Sequence, residues 1–105
     1  MGGIRMTYTT AMVLQALDIG NRYGFDIAEA TGLRGGTVYP ILRRLEESGM
    51  AVSHWEKVQI SRDEGRPPRK YYSVTPAAAE LLATARARFP LRPDMLAVRA
   101  TPRRA

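Results

Sequence analysis

The sequence predicts a mainly α-helical domain that carries one two-stranded β-hairpin. Three observations indicate this class. Apolar residues recur at helical spacing in three segments of the first 50 residues, strand-forming residues dominate two short runs after them, and a helix-favouring run follows Thr75-Pro76. A chain of 105 residues has room for one domain of this kind.

The first two predicted helices are short and close together in the sequence. A first helix begins at Thr9 or Thr10, both good N-cap residues, and ends before Gly20. A second helix covers residues 25–30 and ends at Gly32, which suits a C-cap position. Only a short turn then separates it from the third helix.

The third helix has the clearest amphipathic pattern. We expect it to start near Gly35 or Gly36, because Pro40 lacks an amide hydrogen and is tolerated only in or just beyond the first turn. Its spacing predicts a buried stripe of Val38, Ile41, Leu42 and Leu45. The opposite face presents Gly36, Pro40, Arg43 and Glu47, with Thr37 and Arg44 on one flank and Tyr39 on the other.

A hairpin and a last helix follow. Strands are predicted over residues 51–59 and 70–74, and the Gly- and Pro-containing stretch 61–68 between them predicts an exposed loop. We expect Trp55 and Tyr72 to pack within the core or the hairpin. A helix over residues 77–89 begins at the Thr75-Pro76 signal.

The order of elements predicts a winged helix-turn-helix, α-α-α-β-β-α, in which the hairpin is the wing. Such a fold can lay its third helix in the major groove of duplex DNA. Residues 1–75 would form the DNA-binding domain, residues 76–89 a C-terminal helix, and residues 90–105 a Pro- and Arg-rich tail expected to be disordered.

Composition excludes several classes of function. The chain has no cysteine and one histidine, His54, so thiolate metal sites and ordinary catalytic triads are not expected, and neither are a cofactor or an enzyme activity. Its net charge of +6 favours a polyanionic partner, either nucleic acid or an anionic membrane surface. We expect a cytoplasmic protein, since the sequence shows neither a secretory signal nor an apolar run of about 18 residues.

Basic and small residues on the third helix and the wing are the candidate DNA contacts. Small residues let the helix approach closely, its first amides can donate to phosphate, and arginines add charge. We expect Arg43 nearer to bases and Arg44 nearer to phosphate, although both could instead pair with Glu46 and Glu47. Tyr39 could equally pack against the wing. The candidates are Arg34, Gly35, Gly36, Thr37, Tyr39, Pro40, Arg43 and Arg44 on the helix, with Arg62, Arg66, Arg69 and Lys70 on the wing.

Four stretches of the sequence form a combined motif. They are Tyr23-Gly24-Phe25-Asp26-Ile27, residues 36–46 from Gly36-Thr37-Val38-Tyr39-Pro40 to Glu46, Gly49-Met50, and residues 65–75 from Gly65-Arg66-Pro67-Pro68 to Thr75. Together they resemble the PadR-type transcriptional regulators. The resemblance implies a bacterial winged-helix repressor that dimerises through a C-terminal helical segment, here residues 76–89, binds near-palindromic double-stranded operator DNA and in many members is released by a small-molecule inducer.

Two other function classes stay open. The same scaffold can serve as a protein-interaction module, because a fold does not dictate a function. An enzyme is the weaker alternative, since the sequence contains no metal cluster, nucleophile motif or phosphate-cradling glycine loop. Preference for particular duplex sequences over random DNA would separate the regulator from the interaction module.

Overall fold

The computed structural model describes residues 4–91. The predicted tail therefore lies outside the described residues from residue 92 onward. None of the helices in the described range combines the length and the apolar character needed to cross a membrane. The elements are α1 Tyr8–Asp18, α2 Gly24–Thr31, α3 Gly35–Glu47, β1 Ala51–Trp55, α4 Val58–Asp63, β2 Lys70–Val74, a 3-10 turn Pro76–Ala78 and α5 Ala79–Arg88.

Helix α1 lies at the centre of the fold, in contact with α2, α3, α5 and β2. Every residue from Thr10 to Leu17 is buried. The predicted start was wrong by up to three residues, because Thr7, rather than Thr9 or Thr10, is the N-cap. The Thr7 hydroxyl accepts a hydrogen bond from the backbone N–H of Thr10, which satisfies an otherwise unpaired donor of the first turn.

Helices α2 and α3 form the helix-turn-helix, and their bounds agree closely with the prediction. Gly32 ends α2 in the left-handed conformation, with φ of 76°, which a residue bearing a Cβ adopts only at a cost. The turn passes through Leu33 and Arg34, and α3 begins at Gly35. Because Pro40 is the sixth residue of α3, its missing N–H costs that helix one internal hydrogen bond.

The wing is an antiparallel hairpin that contains a helix the sequence did not predict. Strands β1 and β2 pair from Ala51↔Val74 to Trp55↔Lys70, so β1 ends four residues before the predicted limit. Residues 58–63, predicted as strand and then loop, form α4 instead. Local bonds stabilise this turn and a half: the buried Ser61 hydroxyl donates to the carbonyl of Val58, and the Gln59 amide donates to Asp63.

Tyr72 and Trp55 were both expected to pack in the core or hairpin, and only Tyr72 does so. Tyr72 is 8% exposed and belongs to the core. Trp55 is 65% exposed, because it ends β1 in a two-stranded sheet and no other element of residues 4–91 covers it. Its ring is approached by the ammonium of Lys70, its cross-strand partner, at 5.8 Å.

Helix α5 closes the core on the far side of α1. Leu82 and Ala85 are buried in the hydrophobic core, and the Gln15 side chain of α1 donates to the carbonyl of Phe89 at 2.7 Å. Thr75-Pro76 begins this region as predicted, although its first turn is a 3-10 helix. The predicted class, mainly helical with a two-stranded wing, is confirmed.

Candidate nucleic-acid interface

Helix α3 has one face in the core and one face in solvent. Val38, Ile41, Leu42 and Leu45 are buried, as the spacing predicted. The outward residues Gly36, Pro40, Arg43, Glu47, Tyr39 and Arg44 are exposed. Since burial of the apolar stripe fixes the rotation of the helix about its axis, the arginines are held facing outward.

The leading end of α3 presents small residues and free backbone donors. Arg34 occupies the N-cap position without a side-chain bond to the helix, and the first intrahelical bonds are donated by Thr37 and Val38. The amides of Gly35 and Gly36 are therefore available for an external acceptor. A Cβ placed on Gly36 would meet no atom within 4 Å, so this surface is open to close approach.

The Tyr39 side chain extends from α3 toward the start of α2 and is 49% exposed. Its ring covers Gly24 at the start of α2, where an added Cβ would come within 2.6 Å of the Tyr39 hydroxyl and closer still to the ring carbons. The same ring lies 3.5 Å from a Cβ position on Gly35. Tyr39 thus packs on α2 and keeps about half of its surface available to a partner.

A groove of about 550 Å³ separates the start of α2 from strand β2. It brings Tyr39 together with the predicted wing residues Arg69 and Lys70. Both cations lie over aromatic rings, with Arg69 4.8 Å from the ring centre of Tyr23. The lining residues are Tyr23, Gly24, Phe25, Asp26, Glu29, Tyr39, Pro68, Arg69, Lys70 and Tyr72.

Two neighbouring tyrosines of strand β2 have raised pKa values, and of these two only Tyr72 lines the groove. A hydrogen bond with Tyr23, together with burial, raises the pKa of Tyr71 to about 12. Burial also raises the pKa of Tyr72, and the nearby Glu46 carboxylate adds to the effect.

Arg66 is held inside the wing by Glu56. Two guanidinium nitrogens of Arg66 donate to the two Glu56 carboxylate oxygens at 2.7 and 2.8 Å, and a third donates to Glu64 at 2.9 Å. The Glu56 side chain is 1% exposed. The bond from Arg66 lowers the pKa of Glu56, and the same contact raises the pKa of Arg66.

The Arg66 guanidinium therefore forms hydrogen bonds within the protein, whereas the sequence pattern predicted a contact with DNA. Its contact with DNA stays a prediction, and the structure gives it a second role in shaping the wing. Sequence reasoning missed Glu56. The available signal was its isolation, since it is the only acid between Glu47 and Asp63 in a predominantly basic region.

The remaining predicted arginines are exposed and make no ion pair with another described residue. Among residues 4–91 this holds for Arg34, Arg43, Arg44 and Arg62. Glu46, one suggested partner for Arg43 and Arg44, accepts a hydrogen bond from Ser53 of β1 instead. The α3 arginines are therefore available for an external anion.

Residues 4–91 contain no group of three or more histidine, cysteine, aspartate or glutamate residues able to hold a metal ion. His54 is exposed on β1, where its ring packs edge-on against Tyr71 at 5.2 Å. This contact favours a structural role for His54 in the hairpin.

Three solved structures resemble the chain. A PadR family regulator from Clostridium difficile R20291 is 24% identical with a TM-score of 0.64, over 77% of this chain and 85% of that one. A PadR-like factor from Bacteroides fragilis is 28% identical with a TM-score of 0.57, over 74% and 76%. A PadR family regulator from Eggerthella lenta DSM 2243 is 28% identical with a TM-score of 0.58, over 74% and 68%.

Comparison with curated proteins yields no match. The model of the PadR-like transcriptional regulator family matches residues 13–84, from the middle of α1 to the middle of α5. This range includes both faces of α3 and the whole wing. The members of this family are DNA-binding regulators rather than enzymes. The chain belongs to the PadR-like family of transcriptional regulators.

Proposed function

We propose that the chain is a sequence-specific regulator that binds an inverted-repeat operator as a dimer, with α3 of each copy in a major groove. One observation supports this most directly. Helix α3 buries its whole apolar stripe and presents Arg43 and Arg44 outward, without an ion pair to any described residue. An arginine on such a face can donate two hydrogen bonds to a guanine edge.

Selection of genomic fragments followed by anisotropy titration tests the proposal. A regulator would enrich an inverted repeat whose half-sites lie about one helical turn, roughly 34 Å, apart. Its affinity for that site would exceed its affinity for random duplex and fall steeply with salt. Equal affinity for selected and random DNA would instead favour a protein-interaction module.

Dimerisation through the C-terminal region is part of the same proposal. Helix α5 packs Leu82 and Ala85 toward α1, while Ala79, Ala83 and Ala87 are exposed on its other side. This exposed side is available to a second copy. Sedimentation of the wild type and of Ala83→Glu tests it: the wild type should sediment as a dimer, and the variant should shift toward the monomer. A monomeric wild type would refute this part.

We further propose that the protein represses transcription and that a small molecule relieves this repression. The operator DNA that it binds would lie in the bacterial cytoplasm. The groove between α2 and β2 has a volume typical of ligand sites, and it includes Tyr39 and Lys70 of the proposed DNA surface. An occupant would therefore compete with DNA. A fragment library screened against the complex of the protein with its selected operator should yield compounds that release the protein from this DNA. Tyr39→Ala should weaken the effect of these compounds.

A reporter placed under the selected operator tests repression. Its transcription should rise when the gene for this protein is deleted, and a reporter that does not respond would contradict repression.

A further inference from the structure

A second recess lies on the flank of α3 that faces away from the wing. It has a volume of about 450 Å³ and is lined by the segment ahead of α1, the start of α1 and the last turn of α3 with its C-cap Ser48. Arg5 and Arg44 approach it from these two sides, and Glu47 shares its wall. Tyr39, by contrast, lies on the opposite flank of α3 and lines the groove beside the wing.

The geometry of duplex DNA predicts what would lie next to this recess if α3 occupied a major groove. A major groove is about 12 Å wide and is bounded by two phosphate backbones, so a helix inside it has one backbone on each side. The wing, with Lys70, lies beside one flank of α3. The strand on the other side would meet the recess that Arg5 and Arg44 line.

The two arginines are the positively charged donors among the residues that line this recess. Both are exposed, and neither forms an ion pair within residues 4–91. The Thr7 hydroxyl at the same site is already used, since it accepts from the Thr10 amide and donates to the Thr10 hydroxyl. Glu47 would oppose an incoming anion, so its carboxylate limits the affinity of the recess.

We propose that Arg5 and Arg44 together bind a backbone phosphate of the DNA strand that lies across α3 from the wing. This inference rests on the proposed function, and it adds Arg5, which the sequence pattern did not indicate, to the phosphate contact expected of Arg44. A phosphate contact of this kind positions the protein and strengthens binding to every sequence, whereas it contributes no base discrimination.

The test compares Arg5→Ala with Arg88→Ala, which removes the same charge from an exposed position of α5 that lies away from the side formed by Ala79, Ala83 and Ala87. Arg5→Ala should weaken binding to the selected site and to random duplex alike, by roughly three- to tenfold. It should also reduce the slope of log affinity against log salt by about 1. Arg88→Ala should change neither quantity, and both variants should keep the wild-type Tm.

Glu47→Gln provides a test in the opposite direction. Removing the carboxylate should raise affinity for both duplexes, and the rise should be smaller in the Arg5→Ala background because the two residues act on one phosphate. Arg5→Ala with the affinity and salt slope of Arg88→Ala would overturn the inference. The proposed function would still stand in that case, provided that the wild type prefers its selected site over random DNA.

Discussion

The Arg66 guanidinium and the Glu56 carboxylate form a bidentate ion pair that joins the two ends of the segment between strands β1 and β2 of the wing. Glu56 follows the last residue of β1, and Arg66 lies four residues before β2. The Glu56 carboxylate also accepts from the backbone N–H of Arg69 at 3.2 Å, and the Glu56 amide donates to the Arg69 carbonyl at 2.7 Å. The segment containing α4 is therefore closed at its base.

Removing Arg66 should destabilise the wing. Arg66→Ala leaves the buried Glu56 carboxylate without its main partner, which costs more than the loss of an exposed pair. We expect the Tm to fall by about 4–8 °C. Arg62→Ala is the matched control, since Arg62 is an exposed arginine of α4 with no ion pair to a described residue. Equal Tm values for the two variants, measured by circular dichroism, would contradict a structural role for Arg66.

The same pair predicts how stability depends on pH. Arg66 holds the pKa of Glu56 below its ordinary value of 4.5, so the folded state binds this proton less readily than the unfolded state. The stabilisation is present above pH 4.5 and is lost as the pH falls through the depressed folded-state pKa. Between about pH 5 and pH 2, the Tm of the wild type should fall more steeply than that of Glu56→Gln. Parallel curves would refute the prediction.

Gly24 should control the position of Tyr39. A methyl group on Gly24 would occupy the space of the Tyr39 ring, which is the movable end of a side chain and can swing away. Gly24→Ala should therefore lower DNA affinity, by about tenfold if Tyr39 contributes about 1.4 kcal/mol of binding. Stability should change little, because alanine favours the helix more than glycine does.

A double-mutant cycle separates this effect from a direct one. In a Tyr39→Ala background, Gly24→Ala should have no further effect on DNA affinity, since the ring it displaces is gone. An undiminished loss in that background would show that Gly24 acts independently of Tyr39.

Anchorage of α3 should depend on its buried stripe. Leu42 is fully buried, and Leu42→Ala should lower the free energy of unfolding by about 2–5 kcal/mol through lost burial and a cavity. Val52→Ala, at a half-exposed position of β1, should change it by less than about 0.5 kcal/mol. Urea denaturation measures both, and similar losses for the two variants would be inconsistent with the observed packing.

Much of the helical framework could be predicted from local signals. The αL glycine at Gly32, the position limit set by Pro40 and the spacing of the α3 stripe all act within one or two turns of chain. The apolar stripe also predicted correctly which side of α3 faces solvent. Local sequence signals therefore predicted which face of α3 is the candidate DNA-contact surface. The individual contacts of this face with DNA stay predictions.

The wing could not be predicted as well, because its conformation depends on contacts between distant residues. Val58 and Ile60 alternate with polar residues as in a strand, yet the Ser61 and Gln59 bonds favour one and a half helical turns. Arg66 has the residue type of a DNA contact, and only the fold brings it to Glu56, ten residues away. Trp55 has the residue type of a core, and only the two-stranded sheet leaves it exposed.

The most direct measurement is the affinity of Arg43→Ala for the selected operator and for random duplex, with Arg88→Ala as control. If the outward face of α3 reads bases, Arg43→Ala should lose about 1–3 kcal/mol of binding to the operator and much less to random DNA. The ratio of the two affinities would then fall. An unchanged ratio, with equal losses on both duplexes, would contradict base recognition by α3.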